Sequence, residues 1–267
     1  MTSIGFFGPG QMGRPMVERL AAAGHSVVVH ARRGEAREEL AQLGVTAVAD
    51  AREAAESAEV LLICLFSDPQ LSELAPSLID AAPRGATVAS HVTGSVAIVQ
   101  RMAELGRSRQ VAVVDAPVSG TANDIRNGRL TVMLGGEAEA VEKSALAVQA
   151  YADPVLRTGA LGSALKMKLV NNLLFAANAQ LLAEATALGE GLGLDGATIL
   201  ATLEHCSGGS NVSRYASKVG DIMTFGKGVA PFMSKDVAVC KQAADELGVT
   251  PELLLDVVNR GRLPLTS

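Results

Sequence analysis

The sequence predicts an α/β protein, with a doubly wound parallel sheet over residues 1–158 followed by an all-helical domain over 159–267. Three observations predict it. A short apolar run, SIGFFG at 3–8, leads directly into Gly8-Pro9-Gly10-Gln11-Met12-Gly13 and then into a helix-prone segment. Short apolar runs then alternate with helical stretches as far as residue 149, the pattern of a parallel sheet with helices on both faces. After Gly159 and Gly162 the strand signal disappears.

Each element has its own justification. Residues 3–8 read as a buried strand, and QMGRPMVERLAAAG carries helical periodicity that stops at Gly24, a suitable residue just past a helix end. HSVVVHA (25–31) is a second strand. Strand, G-x-G-x-x-G, helix, strand is the context that turns a weak glycine pattern into the fingerprint of a Rossmann dinucleotide-binding fold. The glycines allow a tight turn and close backbone approach, while the helix N-terminus faces a pyrophosphate. Further strands are expected at 60–66, 86–92, 111–118 and 130–136, mostly separated by helices at 35–43, 69–81, 95–105 and 137–149. Ligands of such sheets lie beyond the carboxyl ends of the strands, which places the loops 65–68, 91–95 and 118–124 around a site.

In the second half, Ser163 caps a helix over about 164–189, followed by helices at 196–206, 211–223, 234–247 and 251–260. GGSNV and FGKGVAP are expected to break the pattern between them. The long helix is rich in Ala and Leu, which serves either an internal core seam or contacts with a second subunit. Within GSALKMKLVNN (162–172), Lys168 and Asn172 lie four apart and project from one helical face. Lys is rarely buried and Asn is a mediocre helix former. The pair is therefore either a solvated stripe or two polar tips converging on a small oxygenated substrate.

Composition narrows the function classes. With 48% hydrophobic residues in 267, the chain has ample material for a core. Lys plus Arg number 23 against 28 Asp plus Glu, a net charge of −5 that provides no basic stripe for nucleic acid. Aromatics are 3% with no Trp, which argues against base-stacking platforms. Cys64, Cys206 and Cys240 are odd in number and widely spaced, so neither a disulfide framework nor a zinc site is expected, and a reducing cytoplasm fits. The four histidines show no ligand spacing either, so no metal is expected. Cys64, inside VLLICLF, reads as a small buried hydrophobe. The first residues carry a strand pattern rather than an export signal, and no apolar run approaches membrane-spanning length.

Cofactor choice depends on the end of the second strand, where NAD-binding versions place an acid against the ribose 2′-hydroxyl. Here the residues are Ala31-Arg32-Arg33, with no acid until Glu35. Guanidinium groups suit a 2′-phosphate through charge-assisted, often bidentate hydrogen bonds, so NADP is expected over NAD.

Taken together, GPGQMGRPM (8–16), DAPVSG (115–120) with NGRLTVMLGG, GALGSALKMKLVNN (159–172) and Lys235-Asp236 resemble the β-hydroxyacid dehydrogenase family over nearly the whole chain. That family includes 3-hydroxyisobutyrate dehydrogenase, tartronate semialdehyde reductase and glyoxylate reductase. The resemblance implies hydride transfer between NADP(H) and a small hydroxy acid, semialdehyde or keto acid, in a homodimer or homotetramer built through the helical domain. It assigns Lys168 as the catalytic acid/base, Asn172 as substrate-orienting, and Ser119, Gly120 and Thr121 as the holders of a substrate carboxylate. Asp236 helps shape that site. Leu65, Phe66, Val92 and Thr93 match nucleotide contacts, and Lys235 matches a lysine near the cofactor. A free Lys titrates near about 10.4, so it starts reduction protonated and can both stabilise a developing alkoxide and donate a proton.

This chain departs from the family pattern in several places. Thr121 and Asn123 stand where glycines are common, and Asp124 where a small residue is usual. His91-Val92 replaces a Ser-Thr pair, Ala164 a glycine and Phe66 a proline, and the loop before Lys235 is one residue shorter. Retained chemistry in a reshaped pocket is the expectation, with His91 either a polar substrate contact or a surface histidine. The rival readings are an imine reductase-like enzyme, a group that generally lacks the lysine, and a catalytically silent NADP-binding sensor or scaffold.

Overall fold

The computed structural model describes residues 1–246 and 248–266. The chain forms two compact units, Met1–Lys168 and Leu169–Ser267.

The first unit opens with β1 (Ser3–Phe7), α1 (Gly13–Ala22), β2 (Ser26–His30), α2 (Gly34–Ala41) and β3 (Thr46–Val48). It continues with α3 (Ala51–Glu56), β4 (Val60–Ile63), α4 (Asp68–Ala81), β5 (Thr87–Ser90), α5 (Val96–Arg109) and β6 (Ala112–Asp115). These six strands pair in parallel in the order β3-β2-β1-β4-β5-β6. The chain moves outward from β1 to β3, then returns to lay β4 on the other side of β1. That reversal opens a crevice beyond the carboxyl ends of β1 and β4, where such sheets bind ligands.

Both faces of the sheet are buried, which explains the continuous apolar runs. Because successive strand side chains alternate, Leu62 joins Ile4, Phe6 and Val29 under Met16, Val17 and Leu20 of α1. Leu61 and Ile63 instead join Phe7 and Val88 under Ala54, Leu71, Leu78 and Met102 of α3, α4 and α5. Full burial of each larger side chain contributes about 1.5–3 kcal/mol.

The expected strand over 111–118 is split. β6 ends at Asp115, and β7 (Val118–Ser119) resumes after Ala116-Pro117, where proline has no N–H to give a ladder. After α6 (Ala122–Arg126) comes β8 (Leu130–Gly135), antiparallel to both β6 and β7. Then α7 (Ala138–Val148) crosses over to β9 (Ala152–Gly159), parallel to β8. The sequence signals did not reveal β3, α3, α6 or β9. The first three are too short for a period to register, and β9 is an edge strand with Asp153, Pro154 and Arg157 facing out.

α8 (Ser163–Gly191) begins in the first unit and continues into the second. There it is followed by α9 (Gly196–Leu203), α10 (Asn211–Val219), α11 (Ile222–Glu246) and α12 (Glu252–Arg260). Leu169, Leu173, Ala176, Leu200, Val212, Phe225, Val237 and Leu265 form their shared core. The expected break at FGKGVAP does not occur: α11 runs through it, with Pro231 inside the helix. Packing overrides propensity here. Phe225 and Gly226 are buried, and a Cβ on Gly226 would come within 2.6 Å of Leu263 Cδ2. The predicted helix end at 247 lies outside the described residues.

Candidate functional site

The glycine turn after β1 is shaped by close approach. Gly8 has φ of 95°, and a Cβ there would lie 2.2 Å from the Cys64 carbonyl oxygen at the end of β4. A Cβ on Gly13 would lie 2.1 Å from the Gly8 carbonyl oxygen, so α1 sits directly against the turn. Gly10 is the opposite case, with nothing within 4 Å of an added Cβ. Any side chain would fill that cradle. No side chain caps α1 at Met12; the Arg14 N–H already donates to the Gly10 carbonyl at 2.9 Å and Pro15 has none, which leaves the Gly13 N–H of the first turn for an anion. This geometry fits a dinucleotide pyrophosphate. Pro9 is half-buried and Gln11 exposed on the same turn.

Other loops predicted to touch a nucleotide gather at the same sheet edge. Leu65 packs towards Gly8, its Cδ2 at 3.0 Å from the added Cβ. Phe66 is exposed, and its N–H donates to Gln70 Oε1 at 3.0 Å. Val92 is buried in the apolar core, while Thr93 is half-buried. Asp68 Oδ2 accepts the Ser95 N–H at 2.9 Å and ties the loop 91–95 to the start of α4. Arg32 and Arg33 are exposed between β2 and α2. Arg37, which sequence reasoning passed over, donates from Nη1 to the carbonyls of Ala31 (2.9 Å) and Arg32 (3.0 Å), setting that loop's path. Burial, and then the Arg32 charge, hold the His30 imidazole below its ordinary pKa.

His91 is neither of the two things expected of it. It is buried, with Nδ1 against the Ala116 carbonyl and Nε2 2.8 Å from the hydroxyl of fully buried Tyr151. A carbonyl only accepts, so Nδ1 carries the proton and the tyrosine donates to Nε2. Burial pulls the imidazole pKa down to about 4. His91 is a neutral brace between β5 and the segment after α7. Burial also pushes the Cys64 thiol up to about 12, which makes it inert, as its apolar run suggested.

On the substrate side, β7 ends at Ser119, half-buried and paired with Thr131 of β8. Gly120 follows with φ of 134°, and Thr121 caps α6. The Thr121 N–H and hydroxyl both donate to Asp124 Oδ2, at 2.8 and 2.7 Å. Asp115, an acid inside the apolar run VAVVDAPV, is fully buried at the end of β6. Its two oxygens accept the N–H groups of Gly162 and Leu165, each at 2.8 Å. Burial raises its pKa, while these amide bonds act in the opposite direction. Asp115 thereby pins the first turn of α8, the helix on which half-buried Lys168 follows Leu165 by three residues.

In the second unit, Asn172, Lys235 and Asp236 come together. Asn172 is buried, its Nδ2 donates to Asp236 Oδ2, and its Oδ1 accepts from Asn171 Nδ2 at 3.0 Å. Lys235 Nζ lies 2.9 Å from Oδ1 of the buried Asp236 and offsets its charge. The Asn172 amide keeps one N–H and one lone pair for a further partner. Its position four residues after Lys168 on α8 places both on one helical face. Among the described residues no helix is long and apolar enough to cross a membrane, and no group of three side chains could hold a metal ion.

A family model described as the NAD binding domain of 6-phosphogluconate dehydrogenase matches residues 3–161. A second, described as NAD-binding of NADP-dependent 3-hydroxyisobutyrate dehydrogenase, matches residues 162–261. The chain is 31% identical to the probable 3-hydroxyisobutyrate dehydrogenase-like 3, mitochondrial, of Arabidopsis thaliana, covering 91% of this chain and 77% of that protein. It is 29% identical to an NAD-dependent L-serine dehydrogenase of Pseudomonas aeruginosa, covering 91% and 86% respectively. Among solved structures it is similar to Mycobacterium tuberculosis 3-hydroxyisobutyrate dehydrogenase with L-serine. The TM-score is 0.84 at 25% identity, over 97% of this chain and 92% of that one.

Proposed function

Because the chain belongs to the β-hydroxyacid dehydrogenase family, we propose that it transfers a hydride between NADP(H) and a small hydroxy acid, or the matching semialdehyde or keto acid. The observation that carries this reading is the half-buried Lys168 sharing a face of α8 with the hydrogen-bonded Asn172. The cofactor supplies or accepts the hydride when bound. Lys168 donates a proton to the developing alkoxide in reduction and takes it back in oxidation. Asn172, held by Asn171 and Asp236, turns its remaining amide hydrogen towards the substrate oxygen. Ser119 and Gly120 hold the substrate carboxylate, and Asp115 fixes the start of the helix that bears Lys168. A cytoplasmic location is proposed on the odd number and wide spacing of the three cysteines.

The test is a screen for NADPH and NADH oxidation with short semialdehyde and 2-keto acids, with cyclic imines alongside. Turnover of the acids supports the reading. Turnover of imines alone favours an imine reductase, and tight NADPH binding with no turnover on any of them favours a silent sensor.

NADP preference rests on Arg32 and Arg33, in a loop that Arg37 holds in place. Replacing both by Ala is expected to raise the NADPH dissociation constant by about 10–100-fold, the scale of a lost hydrogen bond to a charged group or two. NADH affinity should stay within about threefold, since it has no 2′-phosphate to lose. Fluorescence titration with both nucleotides measures this. Equal NADH and NADPH affinities in the native protein would remove the argument.

Self-association is proposed through α8. Val170, Leu174, Leu181 and Leu188 are exposed along it, with Leu174, Leu181 and Leu188 seven residues apart. A strict seven-residue stripe suits a second helix, and a second copy presents the same stripe. Leu181→Glu combined with Leu188→Glu is expected to yield a monomer by light scattering with native helix content by circular dichroism. An unchanged mass would exclude this face.

A further inference from the structure

We infer that His91 is a positioning residue for the substrate loop: its imidazole holds the root of the segment that carries Ser119 against the root of the loop 91–95. The inference rests on the reading of residues 119–121 as the substrate loop.

The contact lies where the parallel ladder stops. The Ala116 N–H donates to the Ser90 carbonyl at 2.7 Å, and the next residue, Pro117, has no N–H to continue the ladder. The His91 N–H is already given to the Ile63 carbonyl of β4 at 2.8 Å. The His91 side chain takes over at this point and donates Nδ1–H to the carbonyl of fully buried Ala116. The ring is itself held. Tyr151 donates its hydroxyl to Nε2 at 2.8 Å, and the two rings meet edge to face, with centroids 6.0 Å apart and planes at 79°. Engaged at both nitrogens, the imidazole keeps one orientation and one tautomer.

Ser119 follows Ala116 by three residues, so what fixes Ala116 also fixes the approach to Ser119. On one side this stretch is tied to β8. The Met133 N–H donates to the Pro117 carbonyl at 3.0 Å, and Ser119 pairs with Thr131. On the side of β5 the hold is the His91 ring. The loop 91–95 has further ties of its own, the His91 N–H to Ile63 and the Ser95 N–H to Asp68 Oδ2 at 2.9 Å. Loss of the imidazole therefore lets the Ser119 segment shift relative to β5 while the loop 91–95 stays anchored. A carboxylate anchor is sensitive to such a shift, since a misplacement of about 1 Å can cost about 100-fold. The expected defect is selective for the acid over the nucleotide.

The experiment pairs calorimetry of 3-hydroxypropionate on the NADP-loaded protein with fluorescence titration of NADPH. His91→Leu fills the space but bonds neither partner. It is expected to weaken 3-hydroxypropionate binding by about 10–100-fold and NADPH binding by no more than about threefold. Should His91→Leu not fold, His91→Met, a flexible apolar filler, carries the same expectation. His91→Gln can donate to Ala116 and accept from Tyr151, so it should restore acid binding to within about threefold of native. Tyr151→Phe separates position from stability. It loses a buried hydrogen bond and should melt at a lower temperature, yet it leaves the bond to Ala116, so acid binding should stay within about threefold. Equal weakening of acid and NADPH in His91→Leu overturns the inference. So does a His91→Gln protein that binds the acid no better than His91→Leu, or a Tyr151→Phe protein whose acid affinity falls with its stability. Native protein that does not bind the acid overturns it together with the reading of residues 119–121. Because the readout is binding, an absence of NADPH turnover would count against the proposed function and not against this assignment.

Discussion

Replacing Lys168 by Ala is expected to lower the turnover number by about 10²–10⁴-fold, the scale of lost general acid–base catalysis, with NADPH affinity nearly intact. Lys168 is assigned to the reacting oxygen, so its loss appears mainly in the transition state, lowering kcat and kcat/KM together. The side chain is only half-buried, so truncation leaves no large cavity and the fold should persist. Lys168→Arg should not restore activity, because guanidinium is a poor proton donor and its planar fork needs another geometry. Asn172→Ala should cost less than Lys168→Ala, since Asn172 orients and does not transfer the proton. Single-turnover kinetics with a substrate from the screen would decide. Native-like turnover in Lys168→Ala would remove the mechanism.

The second large effect is acid lability arising from His91. An imidazole in the unfolded chain titrates near about 6.5, whereas burial against Tyr151 and Ala116 sets the folded value at about 4. Below pH 6.5 the unfolded chain therefore binds a proton that the folded chain refuses. The stability contributed by neutral His91 is fully present above the unfolded value and is lost as pH falls through the folded one. The loss between pH 7 and pH 4 is about 3 kcal/mol from this group. Urea denaturation at pH 7, 5 and 4 measures the slope. His91→Gln, which can donate and accept without titrating, should show a shallower dependence. A His91 Cε1–H resonance that titrates near pH 6.5 in the folded protein would refute the burial argument.

The parts of the site legible in the sequence were those built by neighbours in the chain. The glycine turn is a local structure: a strand, a turn that needs positive φ at Gly8, and an uncapped helix lie within about twenty residues, so spacing alone identifies it. Lys168 and Asn172 were visible for the same reason, since helical geometry alone puts residues four apart on one face. The cap made by Thr121 on Asp124 was also legible in principle, because a Thr followed three residues later by an acid is a known helix-start signal. The resemblance assigns Thr121 to the substrate as well, and nothing local in the sequence chooses between the two uses. FGKGVAP misled in the opposite direction: its glycines and proline are breakers on their own, yet packing around Phe225 and Gly226 keeps α11 continuous.

The sequence by itself determined the alternation of strands and helices, the position of the nucleotide turn, the arginine pair after the second strand and the polar pair on the long helix. Each is set by covalent geometry and period within a few residues. Only the tertiary structure decided how the polar groups are satisfied. Asp115 reaches amides 47 and 50 positions away, His91 meets Tyr151 across 60, and Asn172 meets Asp236 across 64. No periodicity encodes such partners. They follow from desolvation: once packing removes water from a carboxylate, an imidazole or an amide, it must find a hydrogen-bond partner wherever the fold has placed one.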